Sequence, residues 1–279
     1  MLTVSELFIY PIKSLGGISV PTANLTSMGF QFDRRWMLVD NNNRFLSQRE
    51  LPEMALLQVE LTKTGLKVFR KLDANSSINI PFAPLHSMKI VVEIFEDHCE
   101  AVFVSGSADE WFSEILSIKC RLVFIPDSSK RLVDKKYAFN NEITGFADAF
   151  PFLMIGQSSL DDLNLRLENP LPVNRFRPNI VFTGGRPYEE DDMNHFVINE
   201  INFYGVKPCA RCVIPTINHD NGHQSKEPLQ TLATYRKKNN KIYFGQNLLA
   251  EGRGFVAVGD NLKIIKTGPS TDFNIFQNP

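Results

Sequence analysis

Several resources that specialised proteins depend on are scarce in this chain. Only four of its 279 residues are cysteine (Cys99, Cys120, Cys209 and Cys212), too few for a disulfide framework, so in a reducing compartment they read as core residues, ligands or nucleophiles. Charge of one sign is missing: 30 Lys and Arg stand against 31 Asp and Glu, a formal net charge of -1. Without a run of like charges, the electrostatic footing for nucleic acid or a membrane surface is absent, and neither is expected as a partner. No long apolar run exists either. The opening MLTVSELFIYPIKS has an early acid, no basic lead and an internal proline, so it reads as neither secretory signal nor membrane span, and a cytoplasmic protein is expected. Internal repeats and low-complexity tracts are also lacking.

What is present is enough apolar material, 43% of residues, to fill one large β-rich core or two modest ones. From Leu2 to about Val104, short apolar or alternating runs (LFIYPI, RWMLVD, LLQVEL, GLKVF, SINIPF, MKIVVEIF, CEAVFV) are broken by turn signals. Asp40 to Asn43, and Lys63-Thr64-Gly65, are predicted hairpin turns, because Asn, Asp and Gly tolerate the positive φ of tight turns. SADEWFSEIL predicts a short helix opening at Ser107, followed by the strand CRLVFIP. The polar, irregular stretch from Asp127 to Asp148 is a boundary candidate. Beyond it, Ser159 with Asp162 resembles a capping box, and Leu160, Leu163 and Leu167 share a helical face. NIVFTGG and HFVINEINFYGVKP read as strands running into the cysteines. PLQTLATYRKK then predicts a helix, and KIYFGQNLLAEG and GFVAVGDNLKIIK supply closing strands before the tail TGPSTDFNIFQNP.

The chemistry concentrates in CARCVIPT, Cys209 to Thr216. A structural zinc site needs four ligands. His219 and His223 could complete a Cys2His2 set with Cys209 and Cys212, but they sit in a polar turn at unsuitable spacing. A thioredoxin-like pair wants its cysteines at a helix N-terminus, whereas VIPTI, β-branched and carrying a proline, reads as strand. Two buried filler cysteines are the plain alternative. Against it stands Arg211, a fixed cation that favours a thiolate and can bind phosphate bidentately. The combination points to a metal cofactor bearing a phosphate.

The blocks YPIKSLGG, FDRRWMLVD, NRFRPNIVFTGG, KPCARCVIPTIN, KEPLQTL and VGDNLKII, in this order from about Leu2 to Lys266, resemble MOSC-domain proteins with an N-terminal MOSC β-barrel extension. The mitochondrial amidoxime-reducing component and its bacterial counterparts are of this kind. The resemblance implies a mainly β (α+β) fold: a β-barrel-like extension over residues 1–125 packed on a MOSC β-barrel with a few helices over residues 126–279, the site lying between them. It also implies a molybdenum cofactor, a pterin dithiolene with a phosphate, whose metal takes one cysteine thiolate. Cys212 matches that ligand and is the expected catalytic residue, with Cys209 either structural or supporting the ligand from behind. Lys13, Ser14, Arg34, Arg177, Asn179 and Arg211 match cofactor contacts, and Arg49, Asp148 and Thr216 are weaker candidates for the rim. Neighbours on a strand face opposite sides, which leaves open whether Arg34 or Arg35 turns inward.

The implied activity is reduction of N-hydroxylated compounds such as amidoximes, hydroxylamines or hydroxylated bases. Electrons would come from a separate flavin, haem or iron–sulfur protein, because no cysteine cluster follows Cys212 to hold a fused iron–sulfur centre. Water or Asp148 is the expected proton source. The alternative is a sulfur or molybdenum-cofactor carrier in which Cys212 holds a persulfide or ligates the cofactor without redox turnover; such proteins usually fuse the domain to a desulfurase, which this sequence does not contain.

Overall fold

The computed structural model describes residues 1–84 and 88–268. The tail from 269 onward lies outside them. Seven strands close a barrel. In order around it they are Phe152–Gly156, Ile180–Thr183, Leu2–Ile9, Asn261–Thr267, Met193–Ile198, Ile201–Ala210 and Lys241–Glu251, the last pairing back onto Phe152–Gly156. Only the first two run parallel. A parallel pair needs a crossover, and here it carries the helix Gln157–Asn164 and the 3-10 turn Val173–Phe176. Phe152, Phe182, Phe196, Phe203 and Leu248 fill the barrel, each at most 2% exposed.

The strand Leu2–Ile9 is the closing stave. It pairs with Ile180–Thr183 on one side and Asn261–Thr267 on the other, so the start of the chain is woven into strands from its far end. Residues 10–126 then build a four-stranded antiparallel sheet (Trp36–Val39, Arg121–Phe124, Asp97–Phe103, Lys89–Ile94) and a three-stranded meander (Leu57–Leu61, Gly65–Arg70, Asp73–Pro81). The helix Gly106–Leu116 packs Ala108 and Phe112 among Trp36, Leu122 and Val68. The mainly β expectation holds, with a closed barrel and three α-helices among the described residues.

Local departures have physical reasons. The helix cap is Ser105, whose Oγ accepts from Ala108 N, two residues before the predicted Ser107. Gly65 does not use positive φ; an added Cβ there would meet the Ile80 carbonyl oxygen at 2.1 Å, so its turn needs glycine for space. Asn43 does take φ 64°, and Asp40 Oδ1 accepts from Asn42 N and Arg44 N. Ser159 does not cap its helix: its hydroxyl donates to buried Glu190 and accepts from Tyr188 N. VIPTI is not a strand, because Pro215 sits inside a 3-10 turn, Ile214–Thr216. The predicted PLQTLATYRKK helix shrinks to Leu229–Ala233, since Lys237–Lys238 pairs with Lys241–Glu251 instead.

Candidate functional site

Four turns and strand ends deliver one cavity of about 150 Å³. The first follows the closing strand. Lys13 and Ser14 are 4% and 5% exposed, and Ser14 takes φ 67°. This turn is held by Lys13 N donating to Trp36 O and by Gln48 Nε2 donating to Ser14 O. The second turn carries Arg34 at φ 49°. Arg34 therefore lies ahead of the strand Trp36–Val39, and strand alternation does not decide its direction. Arg34 lines the cavity, whereas Arg35 turns away to Ile125 O and Asp127.

The third turn ends the barrel crossover. Arg177, at φ 58°, donates from Nη1 to Leu15 O at 2.7 Å. Tyr10 is clasped between guanidiniums, with Arg177 Cζ 4.2 Å and Arg34 Cζ 4.7 Å from its ring centroid. Such cation–π contacts fix two like charges without bringing them into contact. Burial lowers the Arg177 guanidinium to about 10, which leaves it charged at neutral pH. Asn179 is anchored at both ends of its amide: Nδ2 donates to Phe8 O, and Oδ1 accepts from Leu153 N and Arg34 Nη1. It holds Arg34 to the barrel.

The fourth contribution is the cysteine segment, leaving the strand Ile201–Ala210. Arg211 does not address Cys212. Its Nη1 donates to Cys209 Sγ at 3.1 Å and its Nη2 to Phe176 O. Burial raises the Cys209 thiol despite that guanidinium. The cation beside Cys212 is Arg49, whose Nη2 lies 3.6 Å from Cys212 Sγ and 2.6 Å from Asp148 Oδ2. Asp148 Oδ1 takes Lys13 Nζ at 2.5 Å, and the same ammonium donates to Phe146 O. Lys13, Asp148, Arg49 and Cys212 thus form a continuous chain of contacts across the cavity. Burial lowers Lys13 to about 8 although Asp148 opposes it. For Asp148 burial acts upward, but Lys13 and Arg49 outweigh it and hold the carboxyl well below the usual range.

Lys13, Ser14, Arg34, Arg177, Asn179, Arg211 and Cys212 all line this cavity, as do Arg49 and Asp148; Thr216 does not, its hydroxyl donating to Val213 O. His219 and His223 are not lining residues, and the described residues contain no cluster of three or more His, Cys, Asp or Glu suited to a metal. Arg131 was not anticipated from sequence. Only 3% exposed, it donates to Gly145 O, Ala147 O and Asp148 O and pairs with Asp97. It thereby shapes the loop bearing Asp148, a role that a basic residue in a polar, irregular stretch does not advertise.

Five cations (Lys13, Arg34, Arg49, Arg177, Arg211) line the cavity against one carboxylate, Asp148. Two guanidinium nitrogens, Arg49 Nη1 and Arg211 Nε, are buried without a partner. Buried donors are rarely left unpaired, so the cavity suits an anionic ligand rich in acceptors, presented beside a thiol.

Fold and site together define a barrel protein with a thiol-and-guanidinium anion pocket, its walls drawn from both ends of the chain. The chain belongs to the MOSC-domain family. The MOSC N-terminal beta barrel domain matches residues 1–119 and the MOSC domain residues 141–263. Mitochondrial amidoxime-reducing component 1 of Mus musculus is 31% identical over 94% of this chain and 82% of its own length. Its Homo sapiens counterpart is 30% identical over 94% and 83%. The molybdenum cofactor sulfurase of Oryza sativa subsp. japonica is 32% identical over 87% of this chain, which spans 32% of that longer protein.

Proposed function

We propose that the chain is a molybdenum-cofactor oxidoreductase that reduces N-hydroxylated compounds with electrons from a separate donor protein. The observation that carries this reading is the meeting of the Cys212 thiol with five cations and two unpartnered guanidinium nitrogens in one cavity. Cys212 would ligate the metal, and thiolate is the protein ligand suited to a soft centre. Lys13, Ser14, Arg34, Arg177 and Arg211 would hold the phosphate and pterin edges, with Asn179 fixing Arg34. When bound, the cofactor supplies a two-electron centre with an exchangeable oxygen position.

The remaining work belongs to the chain. Converting N–OH to N–H and water consumes two electrons and two protons. Asp148 is held ionised by Lys13 and Arg49, so it serves poorly as the acid and acts as a fixed counter-ion. Lys13 Nζ donates to Phe146 O and Asp148 and stays charged beside an anionic cofactor, so water is the better proton source. Arg49 bridges Asp148 and Cys212, fixing the direction of the sulfur. The half-exposed face at Asp148, 51% accessible, leaves a way in for a small planar substrate.

The test is molybdenum content by elemental mass spectrometry with oxidised-pterin fluorescence, on protein from a cofactor-sufficient host beside Cys212→Ser. Near-stoichiometric metal and pterin in the wild type, with metal lost or its spectrum altered in the variant, supports the reading, and turnover of amidoximes with a reduced dye completes it. The likeness to a cofactor sulfurase favours one second reading, a carrier with persulfide sulfur on Cys212. Absent metal and pterin, with cyanide-releasable sulfur that disappears in Cys212→Ser, would establish that reading instead.

A further inference from the structure

A second cavity, of about 600 Å³, shares no lining residue with the first. Its size falls in the range of small-molecule sites. One wall comes from residues 167–171, tied down by Asn164, whose side-chain amide exchanges two hydrogen bonds with the Leu171 backbone. The other comes from residues 218–225 and from Thr231 in the helix Leu229–Ala233. Arg175, in the 3-10 turn Val173–Phe176, also lines it.

Arg175 is only 6% exposed, yet no carboxylate among the described residues pairs with it. Its Nε and Nη2 both donate to Pro215 O, at 3.1 and 2.7 Å, which leaves Nη1 without a partner. Burial lowers its pKa, and only Asp220 opposes the shift. A buried cation without a counter-ion is costly. A neutral amide could brace Pro215 O without that cost, so the charge itself calls for an anion. Two further donors on the lining lack partners: Thr231 Oγ1, and Asn218 Nδ2, whose amide is engaged only where Oδ1 accepts from Asp220 N. The lining carboxylates do not answer these donors. Glu227 Oε2 accepts from Thr231 N, and Glu168 is exposed.

We propose that this cavity binds a small organic phosphate monoester, with its terminal oxygens on Arg175 Nη1, Asn218 Nδ2 and Thr231 Oγ1 and its apolar body along Leu167 and Leu171. Three oxygens on one phosphorus match three free donors, whereas a carboxylate leaves one unmet. Guanidinium and phosphate also form strong, charge-assisted hydrogen bonds. The site is independent of the molybdenum reading, because none of its residues lines the first cavity.

The test titrates phenyl phosphate into isotope-labelled full-length protein and follows the amide shifts of Asn218, Ser225 and Thr231, with Phe150 and Arg211 reporting the first cavity. Saturable shifts at the first three are expected, with benzyl alcohol inert and benzoate weaker. Arg175→Met should raise the Kd read there roughly 10-fold or more, as loss of a charged hydrogen bond implies. That change also removes the brace on Pro215 O, so two rim variants keep the test clear of folding. Asn169→Glu should raise the Kd about 3- to 10-fold by placing a like charge beside the phosphate, and Glu168→Gln should lower it. Shifts confined to Phe150 and Arg211, or a Kd indifferent to Asn169→Glu, would overturn the proposal. So would benzyl alcohol or benzoate binding as tightly as phenyl phosphate.

Discussion

At the scale of single residues, Lys13 concentrates the tension of the site. It is buried on one carbonyl and one carboxylate, and burial lowers it from 10.5 to about 8. Below pH 8 the folded and unfolded chains both carry this proton, so it adds no pH dependence. Between 8 and 10.5 only the unfolded chain keeps it, so stability rises with pH across that window. Ligand-free wild type should therefore gain up to ~3 kcal/mol over that range relative to Lys13→Met. Urea unfolding at pH 7.5, 9 and 10.5 measures the difference, and a flat difference would dismiss the buried-ammonium account. An anion bound in the cavity should shrink the gain by keeping Lys13 charged. Arg131 gives a second expectation at this scale. Arg131→Met leaves the Gly145, Ala147 and Asp148 carbonyls without their donor and frees Asp97. A loss of about 3 kcal/mol or more follows from unpaired buried groups, readable by denaturant unfolding, and pterin content should fall as the Asp148 loop shifts.

At the scale of elements, the strand Ile201–Ala210 aims the cysteines. Its ladder with Lys241–Glu251 slips between Gly205 and Lys207 and again between Pro208 and Ala210. Bulges bend a strand and redirect its end; here Arg211 N still donates to Ile242 O of Lys241–Glu251, and Cys212 just beyond it lines the cavity. Gly205 is required for space: an added Cβ would lie 2.1 Å from Met193 O and 2.8 Å from Gln246 Nε2. Gly205→Ala should cost about 1–3 kcal/mol, in the range of other overpacked sites, and should perturb metal retention as well as melting. Lost stability with unaltered metal content would mean the bulges do not set the cysteine position. The strand itself was legible in HFVINEINFYGVKP from its alternation. The bulges were not, because they arise from pairing with a strand some forty residues later in the chain. VIPTI misled for a related reason: β-branched residues favour strands only where a neighbour offers a ladder, and Pro215 instead sits within the 3-10 turn Ile214–Thr216.

At the scale of the whole molecule, the chain's two ends are interdependent, and this governs what a linear reading can reach. The cavity residues were legible as motif blocks, but their partners were not: Arg211 facing Cys209, Arg49 facing Cys212 and Arg131 behind Asp148 all depend on contacts between distant segments. Likewise, the matched MOSC domain spans residues 141–263, while the barrel closes only through Leu2–Ile9. Without that strand, Ile180–Thr183 and Asn261–Thr267 would become two open edges, and Val4, Leu7 and Ile9 would leave the barrel core. Unpaired edges and lost apolar burial both oppose folding. A fragment of residues 127–268 should therefore fail to unfold cooperatively, whereas the same fragment supplied with a peptide of residues 1–20 should recover a sigmoidal transition. Near-ultraviolet circular dichroism through a urea series distinguishes the two cases. A fragment that melts cooperatively alone would show that the barrel core tolerates a missing stave. Recovery only with the peptide would instead show that Leu2–Ile9 is the stave on which cooperative folding of the barrel depends.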